Sequence, residues 1–172
     1  MAVELRRANP SDVDFLVELV DDADTRPFLG PRTATSREEI LAEIERSLAE
    51  PHAFGRFVIE REGERAGALG FHVASERNRI ARLERLAVHP RFRGRRLADE
   101  AARLFQRHLL SELGFHRLEM EIYGFNERAC THAERSGFTR EGRKRRAYLK
   151  DGEWVDSVLY AILAEDLGSE DG

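Results

Sequence analysis

The chain has 172 residues, 41% hydrophobic and 35% charged, with 28 basic against 32 acidic side chains and a formal net charge of −4. That is the length of one soluble domain with enough apolar chain for a core. The acidic balance argues against a nucleic-acid partner, and no run of roughly 18 apolar residues reads as a membrane span.

The first twenty residues carry Glu4, Arg6, Arg7, Asp12, Asp14 and Glu18, so they are not expected to act as a signal peptide. VELRRA (Val3–Ala8) alternates and predicts a strand. NPSDVDFLVELVDD predicts a helix capped by Asn9 or Ser11, with Phe15, Leu16, Leu19 and Val20 on its apolar face. TRPFLGPRTATS is a loop. Ser36 then caps a second helix, with Glu39 completing a capping box. GRFVIEREGERAGALGFHVA predicts two strands around Glu62-Gly63-Glu64, and IARLERLAVHP predicts a third that Pro90 stops. A long helix runs from Leu97 to about Leu113 and ends at Gly114. HRLEMEIYG is another strand, Asn126 caps a short helix closed by Gly137, and the remainder is a hairpin turning at Asp151-Gly152. The order β-α-α-β-β-β-α-β-α-β-β gives a mixed sheet with helices on its faces. A single domain over residues 1–165 is expected, followed by a short acidic tail at 166–172, frayed over GSEDG.

VHPRFRGRRLADEA sets Arg91, Arg93, Arg95 and Arg96 around Gly94 at a helix start. Free helix N-terminal amides, a glycine that lets an anion reach the backbone, and flanking guanidiniums together suit a phosphate, best a pyrophosphate. A solvated helix start and a nucleic-acid contact are the alternatives. The segment lacks the lysine of a Walker loop and the three glycines of a dinucleotide fingerprint.

LERLAVHPRFRGRRLADEAARLF resembles the acetyl-CoA-binding motif of the GNAT N-acetyltransferase superfamily, with Arg91, Gly94 and Arg96 at its marked positions. Arg96 departs from the Gly or Ala the family prefers there. NERACTHAERSGFTREG is similar to the family's second stretch, with Asn126, Ala129, Glu134, Gly137, Phe138, Glu141 and Gly142 in place. The closing hairpin resembles that of the branch acting on ribosomal-protein N-termini and polyamines. The resemblance covers roughly residues 3–165. It implies an α/β fold with a mixed, mostly antiparallel sheet of about six to seven strands and about four helices. It also implies acetyl-CoA as co-substrate, an amine acceptor and a homodimer joined through the last strands.

By the same resemblance, the amides of about Arg93 to Leu97 hold the pyrophosphate. Leu86, Ala87 and Val88 hydrogen-bond the pantetheine arm. Asn126 contacts the cofactor, with Ala129 one helical turn on. The arginine side chains reach toward the adenosine 3′-phosphate.

Acetyl transfer to an amine needs a neutral nitrogen, a donor for the thioester oxygen and a proton for the thiolate. Glu84 and Glu121 are the candidate bases; the resemblance puts a base at either strand. A tyrosine one residue before Glu134 usually supplies the proton, but this chain has Ala133. Cys130 and Ser136, three residues either side on one helical face, are the candidate substitutes, with Tyr148 or solvent as further sources. The histidines show no ligand spacing, so no metal is expected. Cys130 as the only cysteine forms no internal disulfide and fits a reducing cytoplasm. RKRR (Arg143–Arg146) reads as a solvated hairpin edge whose residues alternate faces. Asp21, Asp22 and Asp24 could draw a cationic amine or simply solvate a helix end. Two rival functions stay open: a non-catalytic acyl-CoA-binding module, and a nucleic-acid-binding domain using the two basic clusters.

Overall fold

The computed structural model describes residues 2–168, Arg85 by its backbone alone, so the frayed end expected beyond Gly168 lies outside the described residues. Seven strands, β1 (Val3–Arg7), β2 (Phe54–Arg61), β3 (Glu64–Ser75), β4 (Ile80–Val88), β5 (Arg117–Tyr123), β6 (Thr139–Lys150) and β7 (Glu153–Leu163), run in the sheet order β1-β2-β3-β4-β5-β7-β6. β1–β2, β2–β3, β5–β7 and β7–β6 pair antiparallel, and β4–β5 pair in parallel. The helices are α1 (Val13–Asp21), α2 (Arg37–Ala49), α3 (Leu97–Arg107), α4 (Glu127–Arg135) and a short α5 (Ala164–Leu167). The mixed, mostly antiparallel sheet is the one expected. α5 is an addition, its entry fixed by the Leu163 amide donating to Asp166 Oδ2 at 2.8 Å.

The chain gathers into two compact units, one formed by residues up to Val73 with Leu83–Phe105, the other by Ala74–Arg82 with residues from Gln106 on.

In the first unit, Val58 joins Ala8, Val13, Leu16, Ala34, Ile40 and Ile44 in a buried cluster under α1 and α2. Its neighbour Phe57 points the other way and meets Phe105 of α3 edge-on, centroids 5.2 Å apart. Helices therefore cover both faces of the strands here. Asn9 caps a 3₁₀ turn (Pro10–Asp12) ahead of α1. Ser36 caps α2 by accepting from the Glu39 amide at 3.2 Å; Glu39 returns the bond to the Thr35 amide at 3.1 Å, one residue before the position a capping box uses. Asp12 is fully buried. It accepts from Arg6 through both oxygens (2.7 and 2.8 Å), from Arg65 (2.7 Å) and from the Asn9 amide (2.8 Å). Gly67 lets β3 pass the end of β4, because a Cβ there would stand 2.5 Å from the Ala87 carbonyl oxygen.

In the second unit, β5 pairs with β7 from Arg117↔Leu163 to Tyr123↔Ser157, and with β4 over Ile80↔Arg117 to Arg82↔Glu119. Leu118, Val158, Tyr160 and Ile162 are buried on one face. Arg117, Glu119 and Glu121 share the opposite face, since strand side chains alternate. Past Arg107 the helix loosens into a π-turn (His108–Glu112), and Gln106 Nε2 donates to the Ser136 carbonyl at 2.9 Å. The Asp151-Gly152 turn has φ of 51° and 82°, the geometry of a tight hairpin. β6 is not regular. Lys144 faces Ser157 and Tyr148 faces Val155, so three residues of β6 (145–147) stand opposite Asp156 alone. Arg146 sits in this bulge at φ 49°, its amide donating to Asp156 Oδ1 at 2.7 Å, while Arg143 donates to Oδ2 at 2.8 Å. The RKRR run is an exposed edge, as expected, but its alternation stops after Lys144: Arg145 and Arg146 enter the bulge, and Arg143 and Arg146 share Asp156.

Candidate active site

The arginine block forms a short turn (Pro90–Phe92) followed by a loop into α3. Gly94 has φ +78° and a Cβ there would meet nothing within 4 Å, so its backbone faces open space. Arg96 also has positive φ, 56°, and its side chain is exposed. The left-handed turn at this position favours glycine, because any Cβ costs about 1–2 kcal/mol there. The loop leads directly into the first turn of α3, whose amides have no partner within the helix. The residues from Gly94 to Leu97 thus fit a pyrophosphate by their backbone.

The four guanidiniums have different partners. Arg93 is turned inward: Nε donates to the Val88 carbonyl (3.2 Å), Nη2 to Asp22 (2.9 Å) and Thr25 (3.3 Å), and Nη1 to Asp24 (3.1 Å). The hydrogen bond from Arg93 holds the Asp22 carboxyl below its ordinary value. Two of the aspartates that could draw a cation are thus occupied by this arginine. Arg91 and Arg95 lie over the Phe92 ring, 5.7 and 5.9 Å from its centroid. His89 accepts from the Arg91 amide at Nδ1 (3.3 Å), which leaves Nε2 to donate to Glu18 at 2.9 Å.

Glu84, in the same unit as this loop, is gripped from two strands. Arg56 Nη2 donates to its Oε2 at 2.9 Å, and His72 Nδ1 bonds its Oε1. Arg56 also donates to Glu43 of α2 at 2.8 Å. Leu86, two residues on, is exposed at 38%.

Glu121 sits in the second unit, in a cavity of about 260 Å³. Three cations (Arg82, Arg117, Lys144) and three carboxylates (Glu119, Glu121, Glu141) line it, with Met120, Leu159 and Tyr160. Arg117 donates to Glu119 at 2.8 Å and Glu141 at 2.9 Å, and Arg82 reaches Glu119 at 3.4 Å. The side chain of Glu121 is 13% exposed, with Lys144 Nζ on Oε1 and the Tyr148 hydroxyl on Oε2. Burial pushes its carboxyl up, but these two donors outweigh burial and hold it below the ordinary carboxylate value. The same carboxylate pushes Tyr148 up to about 12. Spacing alone could have found Arg117, Glu119 and Glu121 as one charged face. Lys144 reaches it from its place opposite Ser157, and Tyr148 from beyond the bulge, which has no sequence signature.

On α4, Asn126 accepts from the Ala129 amide at 3.2 Å and caps the helix. Ser136 Oγ lies 3.3 Å from His132 Nε2. Cys130 is half-buried near the Tyr160 hydroxyl, which donates to Glu134 Oε1 at 3.0 Å. Burial pushes the Tyr160 phenol well above its ordinary value, and these neighbours add to that. Sequence reasoning missed Tyr160, which brings a phenol to the helix where Ala133 lacks one. Among the described residues no three His, Cys, Asp or Glu gather as a metal site, and no helix is long and apolar enough to cross a membrane.

Comparison with known proteins agrees with this architecture. The family described as "Acetyltransferase (GNAT) domain" matches residues 2–139. Spermidine N(1)-acetyltransferase of Escherichia coli (strain K12) is 26% identical over 107 residues, 62% of this chain and 57% of that protein. The putative ribosomal N-acetyltransferase YdaF of Bacillus subtilis (strain 168) is 25% identical over 177 residues, covering 98% of this chain and 94% of its own. The dodecameric structure of spermidine N-acetyltransferase from Vibrio cholerae superimposes with a TM-score of 0.82 at 18% identity, covering 99% of this chain and 98% of that one.

Proposed function

The chain belongs to the GNAT acetyltransferase family, whose co-substrate is acetyl-CoA, and on that premise we propose that it acetylates a primary amine by direct attack within a ternary complex. The acceptor is a protein N-terminus, a polyamine or another small amine. Spermidine and ribosomal-protein acceptors enter through the names of the relatives.

The observation that carries the reading is the half-buried Glu121, held as a carboxylate by Lys144 and Tyr148 in a cavity of balanced charge. An amine reaches a protein as its ammonium, with a pKa near 8 for an α-amine and about 10.4 for a lysine-like amine. Glu121 binds that ammonium, and a proton must leave it, to Glu121 and on to water, before the neutral nitrogen attacks; the second proton, lost as the adduct forms, leaves through solvent. Glu84, held between Arg56 and His72, is the second candidate base. The thiolate takes its proton from Cys130, Ser136 or solvent. Bound acetyl-CoA supplies the activated acyl group. Residues Gly94 to Leu97, with the amide of Arg93, would hold its pyrophosphate, Leu86, Ala87 and Val88 the pantetheine, and Asn126 with Ala129 the remainder. Arg95 and Arg96, with Arg91 once it leaves Glu64 at 3.5 Å, are the guanidiniums that would face its 3′-phosphate. A cytoplasmic setting suits the single free thiol, Cys130. A homodimer would use β6, the outer strand of the sheet.

The test is release of CoA thiol from acetyl-CoA against polyamines, amino acids and peptides with free N-termini, with cofactor binding followed by calorimetry. Amine-dependent release is expected, and Glu121→Gln should lower kcat/KM by about 10²-fold or more. Binding without release for any amine would favour the non-catalytic module. No binding would overturn the reading of the arginine loop.

A further inference from the structure

Glu121 offers two carboxylate oxygens, and the fold occupies both. Tyr148 holds Oε2 from a half-buried position. Lys144 holds Oε1 with an ammonium, the group an acceptor amine would bring. The two bonds differ in how easily they yield. The Lys144 side chain is 48% exposed, on a strand with solvent beside it, whereas that of Glu121 is 13% exposed. An exposed lysine on a flexible stem exchanges its partner for water at little cost.

The charge count points the same way. With Lys144 in place, three cations balance three carboxylates around the cavity. With Lys144 swung out, Arg82 and Arg117 remain against Glu119, Glu121 and Glu141, leaving one uncompensated negative charge. One ammonium restores the balance. Of the cavity's lining, Arg82 leaves a buried Nε without a hydrogen-bond partner. Buried groups of this kind are ordinarily satisfied by something.

We propose that Lys144 is a placeholder for the acceptor: its ammonium rests on Glu121 where the acceptor's ammonium binds, and the substrate enters by displacing it. The proposal rests on the reading of Glu121 as the acceptor-binding carboxylate. Lys144 thereby sets the threshold for entry. A neutral acceptor, or a cation too bulky to reach Oε1, does not evict it. It also keeps Glu121 ionised and solvated while no substrate is present.

The test compares wild type with Lys144→Met and Lys144→Gln, using spermidine and a peptide with a free α-amine as acceptors. The readouts are steady-state kinetics and calorimetric affinity for each amine in the presence of CoA. The expected result is a several-fold fall in KM and Kd for the amine in folded variants, larger than any change in kcat. A merely structural lysine would instead lower stability without tightening amine binding. Unchanged or weaker amine binding in both folded variants would overturn the proposal. Glu121→Gln separates this failure from that of the underlying reading. If it abolishes amine affinity while the Lys144 variants change nothing, Glu121 binds the acceptor and Lys144 is no placeholder. If it leaves amine affinity intact, the role given to Glu121 is wrong and the proposal falls with it.

Discussion

The hydroxyl of Tyr160 donates to Oε1 of Glu134 at 3.0 Å, tying the middle of β7 to the last turns of α4. Tyr160 is buried, at 2% exposure, and its phenol lies near Cys130. Tyr160→Phe removes the proton from this junction and leaves a carboxylate oxygen without its donor. Glu134 is exposed and can turn to water, so the expected loss is the net worth of the bond, about 0.5–1.5 kcal/mol, measured by chemical denaturation. A loss too small to measure would mean that water replaces the phenol freely at α4.

Asp12 carries a heavier load, because two guanidiniums converge on a carboxylate with no exposed surface. Burial opposes its ionisation, but hydrogen bonds from Arg6, Asn9 and Arg65 prevail and hold the carboxyl well below its ordinary value. Its contribution to stability is complete above the unfolded value of about 3.9 and is lost as the pH falls through the lower folded value. Asp12→Asn should cost about 3–5 kcal/mol at neutral pH, since it leaves Arg6 and Arg65 facing a neutral group. The difference between variant and wild type should shrink as denaturation is repeated at progressively lower pH. A difference independent of pH would show that the carboxylate charge is irrelevant.

Gly94 and Arg96 both lie in the left-handed region, and only one of them is glycine. Arg96→Gly should therefore stabilise the fold by up to about 1 kcal/mol, offset in part by the freer unfolded chain. It should leave acetyl-CoA affinity within a few-fold if the loop binds through its amides. Gly94→Val should cost about 1–2 kcal/mol in stability and weaken acetyl-CoA by tenfold or more in calorimetry. Equal affinities for wild type and Gly94→Val would place the pyrophosphate elsewhere.

The elements that sequence disclosed are those whose causes are local. Both hairpin turns, the Ser36 and Asn126 caps and the stop at Pro90 each depend on residues within a few positions. The arginine loop was legible for the same reason. Its side-chain partners were not: Arg93 closes on Asp22, 71 positions away. The grip of Arg56 and His72 on Glu84 likewise needs β2, β3 and β4 side by side. The candidate base was visible through resemblance, and its charged face through alternation. The bulge before Tyr148 was hidden, because extra residues in a strand follow from pairing across a ladder.

That bulge lies on the outermost strand of the sheet, where backbone donors and acceptors would otherwise run unpaired. With the Arg146 amide committed to Asp156, the edge is broken midway into two short pieces. A foreign strand finds no continuous template there, so the irregularity that shapes the cavity also guards the protein against edge-to-edge aggregation. Any assembly through β6 must then rely on side-chain contacts, and its geometry is free to change without disturbing the ladder inside each subunit.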